Sequence, residues 1–229
     1  MTAEPVCKRI FREMGVTMTQ AEAGINTKKL YRIIPVELST QEEKAWTEYV
    51  REEQPEGAQY GIFAQSYASG RNSEGVITKS SKLDAVIEYV TELEKPVVIL
   101  CNFTASIEYL ADKLPNSAVI YGNDDGAEYR DKVVQGFGTK YQRIIAQVST
   151  VKVGLNLSAS DTLIFAENNF SGEARIQAEE RCTVLGKEAV EVIDFISESE
   201  IEGIGDVDMA IRSAVVGKKD FNAKLLRKH

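Results

Sequence analysis

Few side chains in this sequence can do chemistry, and their types narrow the choice. The 229 residues contain one histidine, His229. A histidine-based triad and a histidine-rich metal site are thereby excluded from these residues. The three cysteines, Cys7, Cys101 and Cys182, lie far apart and form neither a CxxC site nor a disulfide framework. No metal centre is expected. A phosphate loop of the form G-x-x-x-x-G-K-[ST] is also missing. The Gly-Lys pairs are Gly186-Lys187 and Gly217-Lys218, and Arg181 and Arg212 stand where the first glycine would be. No Asp-Glu dipeptide occurs. These residues alone are not a P-loop nucleoside triphosphatase.

Among the other side chains are groups able to meet an anion. Asn102 carries an amide. Ser149 and Thr150 carry hydroxyls, Lys152 a point charge, and Gly154 lets a backbone approach closely, with Asn156 two residues on. Gln177 and Arg181 are spaced i, i+4 and share one helix face.

The elements that must position these groups are legible from periodicity. Ser39-Thr40-Gln41-Glu42-Glu43 has capping-box spacing and opens a helix to about residue 52. Residues 54–79 are polar and glycine-containing, without clear periodicity, although Tyr60, Phe63 and Tyr67 suggest that they pack. Leu83, Val86, Ile87, Val90 and Leu93 mark an amphipathic helix, and Pro96 ends it. Strands are predicted at 97–101, 118–121, 143–147, 161–165 and 190–195. Helices are predicted at 104–114, 127–137 and 172–182, with more helix to residue 229. Short apolar strands alternating with helices argue for a parallel α/β sheet. Such sheets bind ligands at the carboxyl ends of their strands, here the loops 101–104, 122–126, 148–156 and 166–172.

Composition agrees with a globular chain. Hydrophobic residues make up 43% and charged residues 27%, which excludes a mainly disordered or collagen-like chain. The net charge is −8, so any nucleic-acid binding is confined to a local patch. No apolar run approaches membrane-spanning length, and the amino terminus lacks a signal-peptide core. An intracellular protein, cytoplasmic or in the nucleoid or nucleus, is expected. Gly186 to Asp208 holds eight acids and reads as a solvated face. Residues 218–229 are basic and read as a solvated tail or a phosphate-backbone contact.

Four segments in order resemble the C-terminal RecA-like lobe of superfamily 2 helicases, in particular the Swi/Snf-type translocases. Val97-Val98-Ile99-Leu100-Cys101-Asn102-Phe103 resembles motif IV. Tyr121-Gly122, Arg130 and Val133-Val134-Gln135-Gly136-Phe137 resemble the family's G…R…F segment. Ser149 to Asp161 is similar to motif V, and Gln177 to Lys187 to motif VI. Phe165-Ala166-Glu167 resembles the annealing-helicase branch, and Ile34 to Ser39 the segment joining the two lobes.

The resemblance implies a RecA-like parallel sheet with helices on both faces and an N-terminal helical segment. It divides the chain into an inter-lobe linker with an insertion-like helical part (1–79), the lobe itself (80–200) and a C-terminal helical extension (201–229). It implies that Arg181 acts catalytically on the γ-phosphate, with Gly154, Asn156 and Gln177 also at the nucleotide. Asn102, Ser149, Thr150 and Lys152 would face DNA. The cofactor would be ATP, its Mg held by a separate lobe carrying the P-loop, so the chain would be a fragment or half of a split motor.

Motif VI departs from the family. Val184 stands at the second arginine position, Thr183 at the histidine and Lys187 at the closing glutamine. A non-catalytic nucleic-acid- or protein-binding module is therefore the rival reading. A nucleotide-sugar enzyme lobe is a third, disfavoured by the motif order. The residue types alone leave plainer roles open: Gly154 as a turn, Ser149 and Thr150 as caps, Asn102 as a cap, and Arg181 as a surface ion-pair residue.

Overall fold

The computed structural model describes residues 24–122, 126–151 and 155–227, with side chains as far as 217. Six strands form one parallel sheet. They are β1 (Lys28–Glu37), β2 (Val97–Cys101), β3 (Ser117–Ile120), β4 (Arg143–Gln147), β5 (Thr162–Phe165) and β6 (Ala189–Glu198), in the order β1-β6-β5-β2-β4-β3. Seven helices accompany them among the described residues: α1 (Thr40–Glu53), α2 (Gly57–Ala68), α3 (Ser81–Thr91), α4 (Thr104–Lys113), α5 (Ala127–Gly136), α6 (Gly172–Arg181) and α7 (Val207–Arg227).

β2 lies at the centre because all five of its residues are apolar and buried on both faces. The chain fills one side of β2 with β3 and β4, then crosses to the other side for β5 and β6. The order therefore reverses at β2, and the carboxyl ends of β2, β4 and β5 lie side by side. Two apolar layers flank the sheet. One packs α5, α6 and the loop at Val151, Leu155 and Leu157 against Val98, Leu100 and Leu163. The other packs α3 and α4 against Ile99, Ile145, Ile164 and Ile193.

Local signals set the helix starts. Ser39 and Glu42 form the capping box of α1, Ser80 caps α3 through the Leu83 amide, and Ser171 caps α6 through the Ala174 amide. α4 has no such local cap, since Phe103 occupies the position.

Two features go beyond the sequence reading. Residues 28–37, expected to lead into the lobe, form an edge strand paired with β6 over its whole length. Pro35 is tolerated there because β1 pairs on one side only. Residues 57–68, without visible periodicity, form α2. Its carboxyl-terminal stretch, Ala64 to Ala68, is buried on all sides, and it is mostly small or polar, so it leaves no apolar rhythm. Together α1, α2 and α7 enclose a third core of Leu38, Trp46, Ala64, Tyr67, Ile204, Val207, Ile211 and Val215. Trp46 anchors it, edge-on to Tyr60 and donating its indole N–H to the Glu202 carbonyl at 3.1 Å. The segments on either side of the lobe thus share one core.

Candidate functional site

At the carboxyl ends of β2, β4 and β5 the loops are tied by polar contacts. Glu167, 1% exposed, follows β5. Its carboxylate accepts from the amides of Asn102 (2.8 Å) and Phe103 (3.0 Å) and from the Ser106 hydroxyl (2.6 Å). It is the missing cap of α4, a carboxylate at the positive end of the helix. Asn102 is held at two further points. Its carbonyl accepts from Gln147 Nε2 at 3.1 Å, and its Nδ2 donates to Gln65 Oε1 at 3.1 Å.

The Gln147 carbonyl, in turn, accepts from both the amide and the hydroxyl of Thr150, at 2.9 and 2.7 Å. Thr150 is buried and closes the turn, whereas Ser149 beside it is exposed. On the neighbouring strand end, the Arg130 guanidinium donates to the Gly122 carbonyl, which links the first and middle parts of the G…R…F segment. Lys152 and Gly154 lie outside the described residues.

The second group gathers at the far end of α6. The helix returns the chain from the carboxyl to the amino edge of the sheet, so Arg181 stands at the opposite end from Asn102. The Leu157 amide donates to the Arg181 carbonyl at 3.1 Å. Leu155 and Leu157 share a core with Ala174, Ala178 and Cys182 of that helix. The motif V and motif VI segments are therefore packed together. Asn156 is exposed between the two leucines, and its Oδ1 accepts from the Ser158 amide at 3.0 Å. Gln177 is half-buried and donates to Glu173 at 3.0 Å. Arg181 is half-buried.

Val184 is 39% exposed and Leu185 67%. Lys187 reaches back to the carbonyls of Ser158 and Ser160, each at 2.7 Å, and to Asp161 at 3.1 Å. It latches the loop before β5 to the loop before β6.

A buried charge cluster supports α6 from behind, and the sequence reading missed it. Arg175, 1% exposed, meets Asp194 through two bonds of 2.5 and 3.0 Å. It also donates to Asn168 (2.6 Å) and Glu179 (2.8 Å) and lies 3.7 Å from the centre of the Phe165 ring. Arg212 of α7 adds a bond of 2.8 Å to Asp194. Burial raises the Asp194 carboxyl, but Arg175, Asn168 and Arg212 outweigh it and hold the group below its ordinary pKa. Burial likewise works to lower the Arg175 pKa, and Asp194 and Glu179 reverse that, raising it.

Lys29 and Tyr31 of β1 both reach Glu179, at 3.3 and 2.8 Å. Nearby, Asp208 of α7 is 2% exposed and accepts from Lys82 at 2.7 Å and from the Ser197 hydroxyl at 2.9 Å. Two of the eight acids between Gly186 and Asp208 are therefore buried ion-pair partners, which corrects the expectation of a solvated face. The available signal was Asp194 itself, a charge set inside the apolar run from Val190 to Ile196.

The two loop groups and the parallel order define a RecA-like lobe. Residues 81–185 match the helicase conserved C-terminal domain family. Chromodomain-helicase-DNA-binding protein 1-like of Danio rerio is 28% identical over 149 residues, covering 63% of this chain and 14% of that protein. The ISWI chromatin-remodeling complex ATPase CHR11 of Arabidopsis thaliana is 27% identical over 138 residues, covering 56% and 13%. The chain thus spans about a seventh of the length of these relatives.

Among solved structures, the C-terminal part of the Fun30 ATPase domain superimposes with a TM-score of 0.63 at 12% identity, over 85% of this chain and 98% of that one. The Sulfolobus solfataricus SWI2/SNF2 ATPase core in complex with dsDNA gives 0.61 at 15% identity, over 96% and 51%. Residues 81–185 are thus similar to that domain family, and the chain has the fold of the SWI2/SNF2 ATPase C-terminal domains. Among the described residues, no helix is long and apolar enough to cross a membrane.

Proposed function

We propose that this chain is the second lobe of an ATP-dependent DNA translocase. It completes an ATP site and grips DNA together with a P-loop lobe, on the same or another polypeptide. The observation that carries the reading is the packing of the motif V segment onto the motif VI helix, with the Leu157 amide on the Arg181 carbonyl. It brings Asn156 to the Arg181 end of α6, with Gln177 one turn back along the helix. These residues suit the outer half of a nucleotide site: a guanidinium and two amides, with no loop that could cradle phosphates unaided. Arg181 would stabilise charge on the γ-phosphate, and Gln177 and Asn156 would orient it. ATP, with Mg bound by the other lobe, supplies the phosphoryl group.

The DNA face is the strand-end group. Exposed Ser149 and half-buried Asn102 are the donors to a phosphate, while Thr150 shapes the turn that presents Ser149. The neighbouring Lys152 would add a point charge. The dsDNA complex of the Sulfolobus core and the chromatin-remodelling names of the relatives support this reading. An intracellular location, cytoplasmic or with the chromosome, accords with it.

The test is DNA-stimulated ATP hydrolysis by this chain paired with its P-loop lobe. Arg181→Ala should lower turnover by about 10³- to 10⁵-fold, the usual worth of an arginine finger. Unchanged turnover would refute the assignment. The exposed Val184, where the family has arginine, favours the second reading, a non-catalytic binding module. Val184→Arg separates the two: raised turnover in the pair supports the motor, and no ATPase in either form supports the module.

A further inference from the structure

Gln65 is the polar residue of α2 that reaches the strand-end loops, and it is wholly buried. Its Nε2 donates to the Asn168 carbonyl at 2.7 Å and to Asp208 Oδ1 at 3.4 Å. A carbonyl and a carboxylate only accept, so the Gln65 amide has one satisfactory orientation, with Oε1 turned the other way. There Oε1 accepts from Asn102 Nδ2 at 3.1 Å. A flipped Asn102 would set two acceptor oxygens face to face.

The orientation of Asn102 is thus inherited through a chain of contacts. Lys82 fixes Asp208 at 2.7 Å, Asp208 and Asn168 fix Gln65, and Gln65 fixes Asn102. Glu167 and Gln147 hold only the backbone of Asn102. Its side chain is set from the helical layer, by a residue 37 positions upstream on another element.

We propose that Gln65 is a positioning residue for the nucleic-acid face. It holds Asn102 with one Nδ2 hydrogen turned inward and leaves the second for a phosphate oxygen. The inference rests on Asn102 as a phosphate contact, and it adds a role for α2, which lies outside the family-matched segment. The layer of α1, α2 and α7 is then part of the grip, since loosening α2 frees the Asn102 amide.

The test uses Gln65→Met, which keeps length and volume but removes every hydrogen bond, in the full 229-residue chain. Two readouts are needed. Nuclear magnetic resonance of the Asn102 side-chain amide reports its orientation without DNA. Slow exchange of the inward Nδ2 hydrogen with water is expected in the unaltered chain and fast exchange in Gln65→Met. Fluorescence anisotropy with a short duplex at fixed low salt reports affinity. Asn102→Ala and Gln65→Met should each weaken binding by about fivefold, the worth of one net hydrogen bond. The double variant should be no weaker than either alone.

Fast exchange of the inward Nδ2 hydrogen in the unaltered chain overturns the relay, and so does an unchanged signal in Gln65→Met. That measurement on the unaltered chain decides even if Gln65→Met does not fold. Unchanged affinity in Asn102→Ala, or no duplex binding at all, overturns instead the phosphate reading of Asn102, and the purpose of the relay with it.

Discussion

Removing the Asp194 carboxylate is the sharpest test of the buried charge cluster. In Asp194→Ala, Arg175 loses its two-bond partner while remaining 1% exposed, and Arg212 loses its contact at 2.8 Å. Stranding a buried charge costs about 3–5 kcal/mol. Glu179 stays beside Arg175 at 2.8 Å and keeps a counter-charge in place, so the lower end, about 3 kcal/mol, is expected. For a chain of this size each kcal/mol moves the midpoint by roughly 2–4 °C, which gives a fall of about 6–12 °C.

Urea and thermal unfolding followed by circular dichroism would measure both quantities. The double variant Arg175→Met/Asp194→Leu supplies the control. Exchanging the pair for apolar groups should cost less than removing the carboxylate alone, since Arg175 is no longer stranded and Glu179 keeps Lys29 and Tyr31 as partners. A loss under about 1 kcal/mol in Asp194→Ala, or a double variant weaker than the single, would refute the account of α6 as held by this pair.

Asp194 also predicts an acid limb. Its folded pKa lies below the unfolded value, so its contribution is present above the unfolded value, about 3.9, and is lost as pH falls through the folded one. Urea midpoints between pH 6 and 3 should drop for the unaltered chain and flatten below pH 4 in Asp194→Asn. Gly205→Ala should destabilise by about 2 kcal/mol, because the new Cβ would stand 2.1 Å from the Ser199 carbonyl oxygen and the turn into α7 would have to open. A urea midpoint equal to that of the parent would count against this turn geometry. Cys101 and Cys182 should resist iodoacetamide in the native state at pH 8 and react only on unfolding. Burial pushes the Cys182 thiol up to about 12 and Cys101 well above its usual value. Peptide mass spectrometry after labelling would check this.

The alternation of apolar strands and amphipathic helices from residue 81 onward was readable because each element there carries its own period. β2 is continuous apolar sequence, and α3 has clean i, i+3, i+4 spacing. β1 was not readable, since Lys28 to Glu37 mixes charge and apolar groups and becomes a strand only by pairing with β6. α2 was hidden for a different reason. Its buried stretch is mostly small or polar, and those side chains gain their sense from Asn102, Asn168 and Asp208, which lie far along the chain.

The same holds for the site. Spacing put Gln177 and Arg181 on one helix face, and the predicted strand ends together with the resemblance pointed to the loops at 102 and 149. That Thr150 turns its hydroxyl inward while Ser149 faces solvent depends on the Gln147 carbonyl between them, a matter of three-dimensional placement. Glu167 is legible in the sequence only as part of the segment Phe165-Ala166-Glu167. Its role as the cap of α4 follows from β5 ending beside β2.

The shared core around Trp46 has a consequence for how the chain folds as it is made. Its indole waits for a carbonyl 156 residues further on, and the leucine, alanine and tyrosine around it wait for Ile204 to Val215. On a ribosome adding roughly 5–20 residues each second, α1 and α2 emerge many seconds before their partner helix exists. During that interval their aromatic residues can pack only against one another, and the side that α7 covers stays open. Synthesis therefore exposes Trp46, Tyr49, Phe63 and Tyr67 together, a surface that invites chaperone binding until α7 arrives.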